Sequence, residues 1–248
     1  MKLLVTTALL ALAAPLAAQA QTVSAPIKAA LADPARPATD KERDATRHPG
    51  ELLAFAGVKP GDKVADFIMG GGYFTRILAR TVGSKGRVYA YQPAEFIQFR
   101  PAYGDEQKAA VAGYANVTPL SDSLATVKFA EPLDAIVTVQ NWHDMHLKMV
   151  PPGFAVAMAK RLYDSLKPGG VLLVVDHVAA ADPGFTAPDK LHRIDPAAAR
   201  AEIQSAGFTF DGSLPLLANS DDPHTAIVFD PAIRGKTDQF VFRFRKPR

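Results

Sequence analysis

The stretch VADFIMGGGYFTRILARTVG, residues 64–83, carries an apolar run into three consecutive glycines. It then enters a segment whose Phe74, Ile77, Leu78 and Val82 fall at helical spacing. A strand that turns through glycines into an amphipathic helix is the opening unit of an open α/β sheet. The glycines allow positive φ and let a ligand approach the backbone with no Cβ in the way. Thr75 stands where the dinucleotide fingerprint requires its last glycine, and no Gly-Lys-Ser/Thr follows, so neither that fingerprint nor a P-loop is present. A tight turn serving topology alone is the competing use of the three glycines.

Strands and helices alternate from this point, the pattern of a parallel sheet covered on both faces. Strands are expected over 63–68, 87–91, 116–119, 135–140 and 171–176, with helices over 74–82 and 154–166. Upstream, residues 48–57 read as a helix ended near Gly57, and Pro60-Gly61 turns the chain into the first strand. The sequence LKPGG, residues 166–170, stops the 154–166 helix and turns into the fifth strand. In DPAAARAEIQSAGF, Asp195 is the expected N-cap, Pro196 opens the helix and Gly207 ends it.

Two alternating runs close the chain, FTFDGSL and QFVFRFRK. In the second, Phe240, Phe242 and Phe244 are expected inward and Arg243 and Arg245 outward. The long polar connection between the runs is of the kind that forms lids or site walls.

The motif Asp66-x-Ile68-x-Gly70-Gly71-Gly72, taken with LKPGG before an apolar strand, resembles the class I S-adenosylmethionine-dependent methyltransferases over roughly residues 50–248. Within that superfamily the chain is similar to a group of bacterial methyltransferases with export signals, through VKPGDKVADF, GGGYFTRILA, HRID and RGKTDQFVFRFRKP. The resemblance implies a doubly wound, mostly parallel sheet of seven strands, a Rossmann-like fold with an antiparallel C-terminal edge. It also implies S-adenosylmethionine as cofactor and a small-molecule methyl acceptor. Asp66, Gly70, Gly71, Gly72, Gln92, Ser121 and Asp122 are the cofactor-binding residues it points to.

Two positions depart from the family pattern. Ile68 replaces the first glycine, and Gln92 stands where an acid usually holds the ribose hydroxyls. An amide can bond a diol but lacks the charge-assisted bond of a carboxylate, and Glu95 is a candidate substitute.

Carboxyl ends of strands line the ligand crevice in open α/β sheets. The fourth strand runs into Asn141-Trp142-His143-Asp144 and the fifth ends at Asp176-His177. His143 or His177 is the candidate general base, since histidine titrates near neutrality and an aspartate such as Asp176 can orient its ring. Trp142 is a candidate pocket wall. Histidines and carboxylates also suit a zinc or iron site, but His143 and His146 match no ligand signature and no metal ligand is assigned. Capping accounts for Asp144 and Asp195, and loop packing accounts for His192.

Residues 1–20 combine Lys2, an apolar run too short for a membrane span and Ala18-Gln19-Ala20. They are expected to form a signal peptide cleaved after Ala20, which places the mature protein in the periplasm or outside the cell. An Ala- and Pro-rich lead-in over 21–47, with little chemistry expected, then precedes one α/β domain over 48–248. The chain has no cysteine, which excludes disulfides, thiolate catalysis and thiolate metal sites. Its 28 basic and 25 acidic residues are interspersed, so no nucleic-acid groove is indicated, nor any membrane contact after signal cleavage. Two other functions fit the same residues: an exported ligand-binding protein with a degenerate methyltransferase fold, and a His/Asp-based hydrolytic or metal-assisted enzyme.

Overall fold

The computed structural model describes residues 22–182 and 185–248; the expected signal segment lies outside them. The lead-in folds as α1 (Ala25–Leu31), α2 (Ala38–Lys41) and α3 (Asp44–Arg47), followed by α4 (Pro49–Ala56). Five strands then alternate with helices: β1 (Lys63–Phe67), α5 (Tyr73–Val82), β2 (Arg87–Tyr91), α6 (Ala94–Phe99), α7 (Ala102–Val111), β3 (Val117–Leu120), β4 (Leu133–Val139), α8 (Phe154–Ser165) and β5 (Leu166–His177). The chain ends with α9 (Ala187–Leu191), α10 (Pro196–Ser205), β6 (Thr209–Leu214) and β7 (Gln239–Arg245).

The seven strands form one sheet in the order β3-β2-β1-β4-β5-β7-β6. The first five are mutually parallel, and β7 runs antiparallel to both β5 and β6. The order reverses between β1 and β4, so the crevice outside their carboxyl ends is the topological switch point where ligands of such sheets bind. Each face carries its own core. Phe67, Tyr91, Ile136, Leu172 and Phe244 pack on one side with α8 and α10, and Val64, Val88, Val137, Leu173 and Val241 on the other with α1, α4 and α5.

Asp195 caps α10, accepting from the Ala197 amide at 2.8 Å, and Gly207 follows the helix at φ 106°. β5 begins earlier than expected, at Leu166. Lys167–Gly170 form an irregularity between Leu166, which pairs with Leu133, and Val171, which pairs with Ala135. A Cβ at Gly170 would stand 2.8 Å from the Lys167 carbonyl oxygen, so that bend requires glycine.

The outward expectation for Arg243 is corrected. Both sheet faces are covered here, and α4 lies over this one. The Arg243 guanidinium sits 4.4 Å from the Phe55 ring centroid and donates to the Phe55 carbonyl oxygen at 2.8 Å.

The lead-in is part of the same packed body. Ile27 and Ala30 are buried in the core against α5. Arg36, with no exposed side-chain surface, bridges the Asp44 carboxylate at 2.7 Å and donates to the Leu31 carbonyl. Asp44 also accepts from the Tyr73 hydroxyl at 2.6 Å, and Asp40 pairs with Arg76 at 2.6 Å. The three helices are thereby fixed to the first turn of α5, beside the glycine loop.

Candidate functional site

The residues that carry chemistry gather at the carboxyl edge of the sheet in two groups, joined by Asn141. The first is the glycine loop. Gly70 and Gly71 have open space where a side chain would stand, and Gly70 lies at φ 54°. Gly72 does different work. It lies at φ 79° just ahead of α5, and a Cβ there would come within 2.3 Å of the Ala110 Cβ, so its lack of a side chain lets α5 and α7 pack closely. The open part of the loop is therefore Gly70-Gly71.

Asp66 is buried at the end of β1 and accepts from the Thr75 hydroxyl at 2.6 Å. Burial raises its pKa to about 6, against the pull of the Thr75 hydrogen bonds and of Arg47 and Arg76. Arg47, from the end of the lead-in, lies over the Tyr73 ring at 4.7 Å. Among the described residues its guanidinium has no hydrogen-bond or carboxylate partner. Burial and then the Arg43 charge hold its pKa below the usual value, while Tyr73, Asp66 and Asp40 pull it up. The lead-in thus brings to the loop a cation that sequence reasoning set aside.

Gln92 is buried at the end of β2, and its Oε1 accepts from the Gly70 amide at 3.0 Å. It holds the loop, leaving its amide nitrogen as the remaining donor. Glu95 is engaged elsewhere, accepting from the Ser123 hydroxyl at 2.5 Å and from the Leu124 amide. The Ser121 hydroxyl donates to Gln107 of α7 at 2.9 Å. Asp122 is exposed beside it; its backbone carbonyl accepts from the Ala94 amide and the Tyr91 hydroxyl, and its carboxylate has no partner among the described residues.

The second group is built on Asp176, the last carboxylate of β5, with no exposed surface. It accepts from the His143 amide at 2.7 Å and the His177 amide at 2.8 Å, and its Oδ1 lies 2.8 Å from His143 Nδ1. Burial alone would lower the His143 pKa, but the Asp176 charge and hydrogen bond, with help from Asp144, carry it to about 9. His177 points differently. Its Nδ1 meets the Thr237 hydroxyl at 2.7 Å, and burial lowers its pKa to about 4, so it stays neutral.

Two residues given bland roles by sequence stand on the free side of the His143 ring. His143 Nε2 lies 3.3 Å from His192 Nδ1 and 3.3 Å from Asp144 Oδ1. Burial raises the Asp144 pKa to about 6. His192 arrives because residues 192–194 run beside the end of β5: Ile194 bridges Val178 and its amide donates to the His177 carbonyl. The fully buried Arg193 pins that segment through Asp222 at 2.8 Å and the carbonyls of Val178 and Ala226. The long connection packs against the histidines of this group. Phe229 packs on the His192 ring at 4.8 Å, and Thr237 supplies the His177 partner. The signal that could have found His192 and Asp144 was their company: each is chain neighbour to a residue the fold buries, His143 or Arg193.

His146 turns away, to Glu202 of α10 at 2.9 Å. Trp142 is 1 % exposed inside the main core, so it is no pocket wall. The Asn141 amide nitrogen donates to the carbonyls of Ile68 and Val139, at 3.0 and 2.9 Å, tying the two groups together. Two surface hollows of about 600 and 420 Å³ open at the opposite edge, one beside Pro132 and α8, the other beside Gly86 and Asn116. Neither is lined by these residues. No helix among the described residues is long and apolar enough to cross a membrane.

Neither a protein-family model nor a curated protein matches the sequence. Solved structures do match. A SAM-dependent methyltransferase from Aquifex aeolicus aligns over 89% of this chain and 96% of its own, at 20% identity and a TM-score of 0.57. Aeropyrum pernix fibrillarin, crystallised with natively bound S-adenosyl-L-methionine, aligns over 82% of this chain and 76% of its own, at 15% identity and a TM-score of 0.52. A "possible exported protein" from Bordetella parapertussis aligns over 84% of this chain and 68% of its own, at 16% identity and a TM-score of 0.52. The likeness is one of fold: this chain has the seven-stranded methyltransferase fold, with its antiparallel edge.

Proposed function

We propose that this protein binds S-adenosylmethionine across the β1–β4 switch point and transfers its methyl group to a small nucleophile outside the cytoplasm. The observation that carries the proposal is the open backbone at Gly70 and Gly71, set beside buried Asp66 and Arg47, which has no hydrogen-bond or carboxylate partner among the described residues. These residues fit an amino acid moiety. Arg47 offers a cation to a carboxylate, Asp66 an anion near an ammonium, and the two glycines leave room for the chain between them. Gln92 would offer its free amide donor to the ribose, and Asp122 its exposed carboxylate to the adenine. When bound, the cofactor supplies a sulfonium methyl, an electrophile needing an aligned lone pair and no redox partner.

The acceptor end belongs to His143, whose Nδ1 is fixed on Asp176 so that Nε2 faces Asp144 and His192. A melting experiment tests the cofactor claim. S-adenosylmethionine is expected to raise the unfolding temperature of the wild type, by about 3 kcal/mol of linkage at a hundredfold excess over Kd. Gly71→Val, whose side chain meets open space at a position without positive φ, should melt normally and lose the shift. A shift retained in Gly71→Val would remove the glycine cradle from the proposal.

Binding without transfer is the second reading, favoured by the use of Gln92 and Glu95 in holding loops rather than a diol. Export rests on residues 1–20 and is in keeping with the Bordetella neighbour. Fractionation is expected to recover the chain from the periplasm with Gln21 at its N-terminus by mass spectrometry; a chain retained in the cytoplasm with Met1 intact would contradict export.

A further inference from the structure

The free side of His143 is occupied by two more ligand-type side chains. His143 Nε2, Asp144 Oδ1 and His192 Nδ1 converge so that the donor atoms all lie within 4.8 Å of one another. Two of the separations are 3.3 Å. Ligands roughly 2.05 Å from a tetrahedral zinc-class ion stand about 3.3 Å apart, so these edges have the length a bound ion imposes.

The outer contacts match as well. A ligating histidine commonly donates its other N–H to a carboxylate, which fixes the tautomer. Asp176 takes that position on His143, at 2.8 Å from Nδ1, and is itself held by two backbone amides. His192 is held at φ 52°, an uncommon conformation for a non-glycine residue, by the buried Arg193 beside it. The half-buried Asp144 makes no side-chain hydrogen bond to backbone among the described residues; its carboxylate is turned to His143.

We propose that His143, Asp144 and His192 bind a divalent transition-metal ion of the zinc class, leaving at least one coordination position open to a ligand in the crevice. Two histidines and one carboxylate with an open position are the donor set of a catalytic rather than a structural site. The site itself is independent of the methyl-transfer reading. Its use rests on that reading: the ion holds a thiol, phenol or hydroxyl acceptor as the anion. The acceptor's proton leaves to water as its heteroatom binds. The heteroatom's lone pair then forms the bond to the methyl carbon, and the carbon–sulfur bonding pair goes to the cofactor sulfur.

The test uses the full chain, stripped with chelator, reloaded with Zn²⁺ or Co²⁺ and freed of excess by gel filtration. Metal per chain and the visible absorption of tetrahedral Co²⁺ are the readouts. One ion per chain is expected in the wild type and in His224→Asn, whose ring pairs with Asp238 away from the cluster. His192→Asn keeps a residue that tolerates the left-handed conformation, and it and Asp144→Asn are expected to weaken Co²⁺ binding by at least about tenfold. Asp176→Asn, a positioning change, is expected to weaken it by about tenfold to a hundredfold and to alter the Co²⁺ spectrum. Circular dichroism melts establish that each variant is folded.

No retained ion in the wild type, or unchanged affinity in folded His192→Asn and Asp144→Asn, would overturn the site. Titration of stripped wild type with S-adenosylmethionine separates the two claims. Cofactor binding with no metal site would leave methyl transfer standing and this inference refuted.

Discussion

Ile68 holds φ 63° at the end of β1, where a β-branched side chain crowds its own backbone at a cost of about 1–2 kcal/mol. Its side chain is 6 % exposed and packed into the main core, which returns about 2–3 kcal/mol, so the strain is tolerated. The loop thus makes a left-handed turn at a position that is not glycine. Two residues before it, Asp66 is strained electrostatically. Its folded pKa of about 6 exceeds the ordinary aspartate value of about 3.9, so the folded chain holds this proton more tightly than the unfolded chain. That contribution is fully present below pH 4 and lost as the pH rises through 6. Near pH 8 the fold therefore carries the cost of ionising a buried carboxylate, about 3 kcal/mol. Asp66→Asn is accordingly expected to raise the urea midpoint at pH 8, to change it little at pH 4, and to abolish cofactor binding. A variant less stable than the wild type at pH 8 would contradict this balance.

Among the elements, the connection between β6 and β7 depends on one buried pair. Arg193 and Asp222 have no exposed side-chain surface, and removing one partner of such a pair costs about 3–5 kcal/mol because the other charge is left bare. Arg193→Met is expected to lower stability by that amount in urea unfolding and to loosen His192 and Phe229; a loss under 1 kcal/mol would show that the connection is held by other contacts. Sequence patterning located the strands because their apolar runs are bounded by turn residues, and it located α10 because Asp195, Pro196 and Gly207 mark its ends. It did not show α7, whose buried residues are only Gln107 and Ala110, too few to make a periodic face. Nor did it show that the lead-in docks on α5, since Arg36, Asp40 and Asp44 become partners only once three short helices have folded back. Arg243 was misplaced for a related reason: alternation separates two faces of a strand but does not say that both are covered.

For the whole molecule, strand order fixes what composition could not. The sheet brings the end of β1 and the ends of β4 and β5 to one crevice, so that residues 66–72 and 141–144 share a site through Asn141. Strand-end logic was enough to place His143, Asp176 and Asp66 on that edge. It did not distinguish Gly72, whose missing side chain makes room for α7, from Gly70 and Gly71, because packing between helices leaves no mark in a run of three glycines. Nor did it assemble His192 with His143, which are joined by contacts across 49 residues of chain.

The central claim is that this crevice holds S-adenosylmethionine. Calorimetric titration of the chain from Gln21 onward measures it most directly. Saturable heat with a Kd near the micromolar range, lost in Gly71→Val and in Asp66→Asn, is the expected result. Folded wild-type protein that gives no heat at millimolar cofactor would contradict the account.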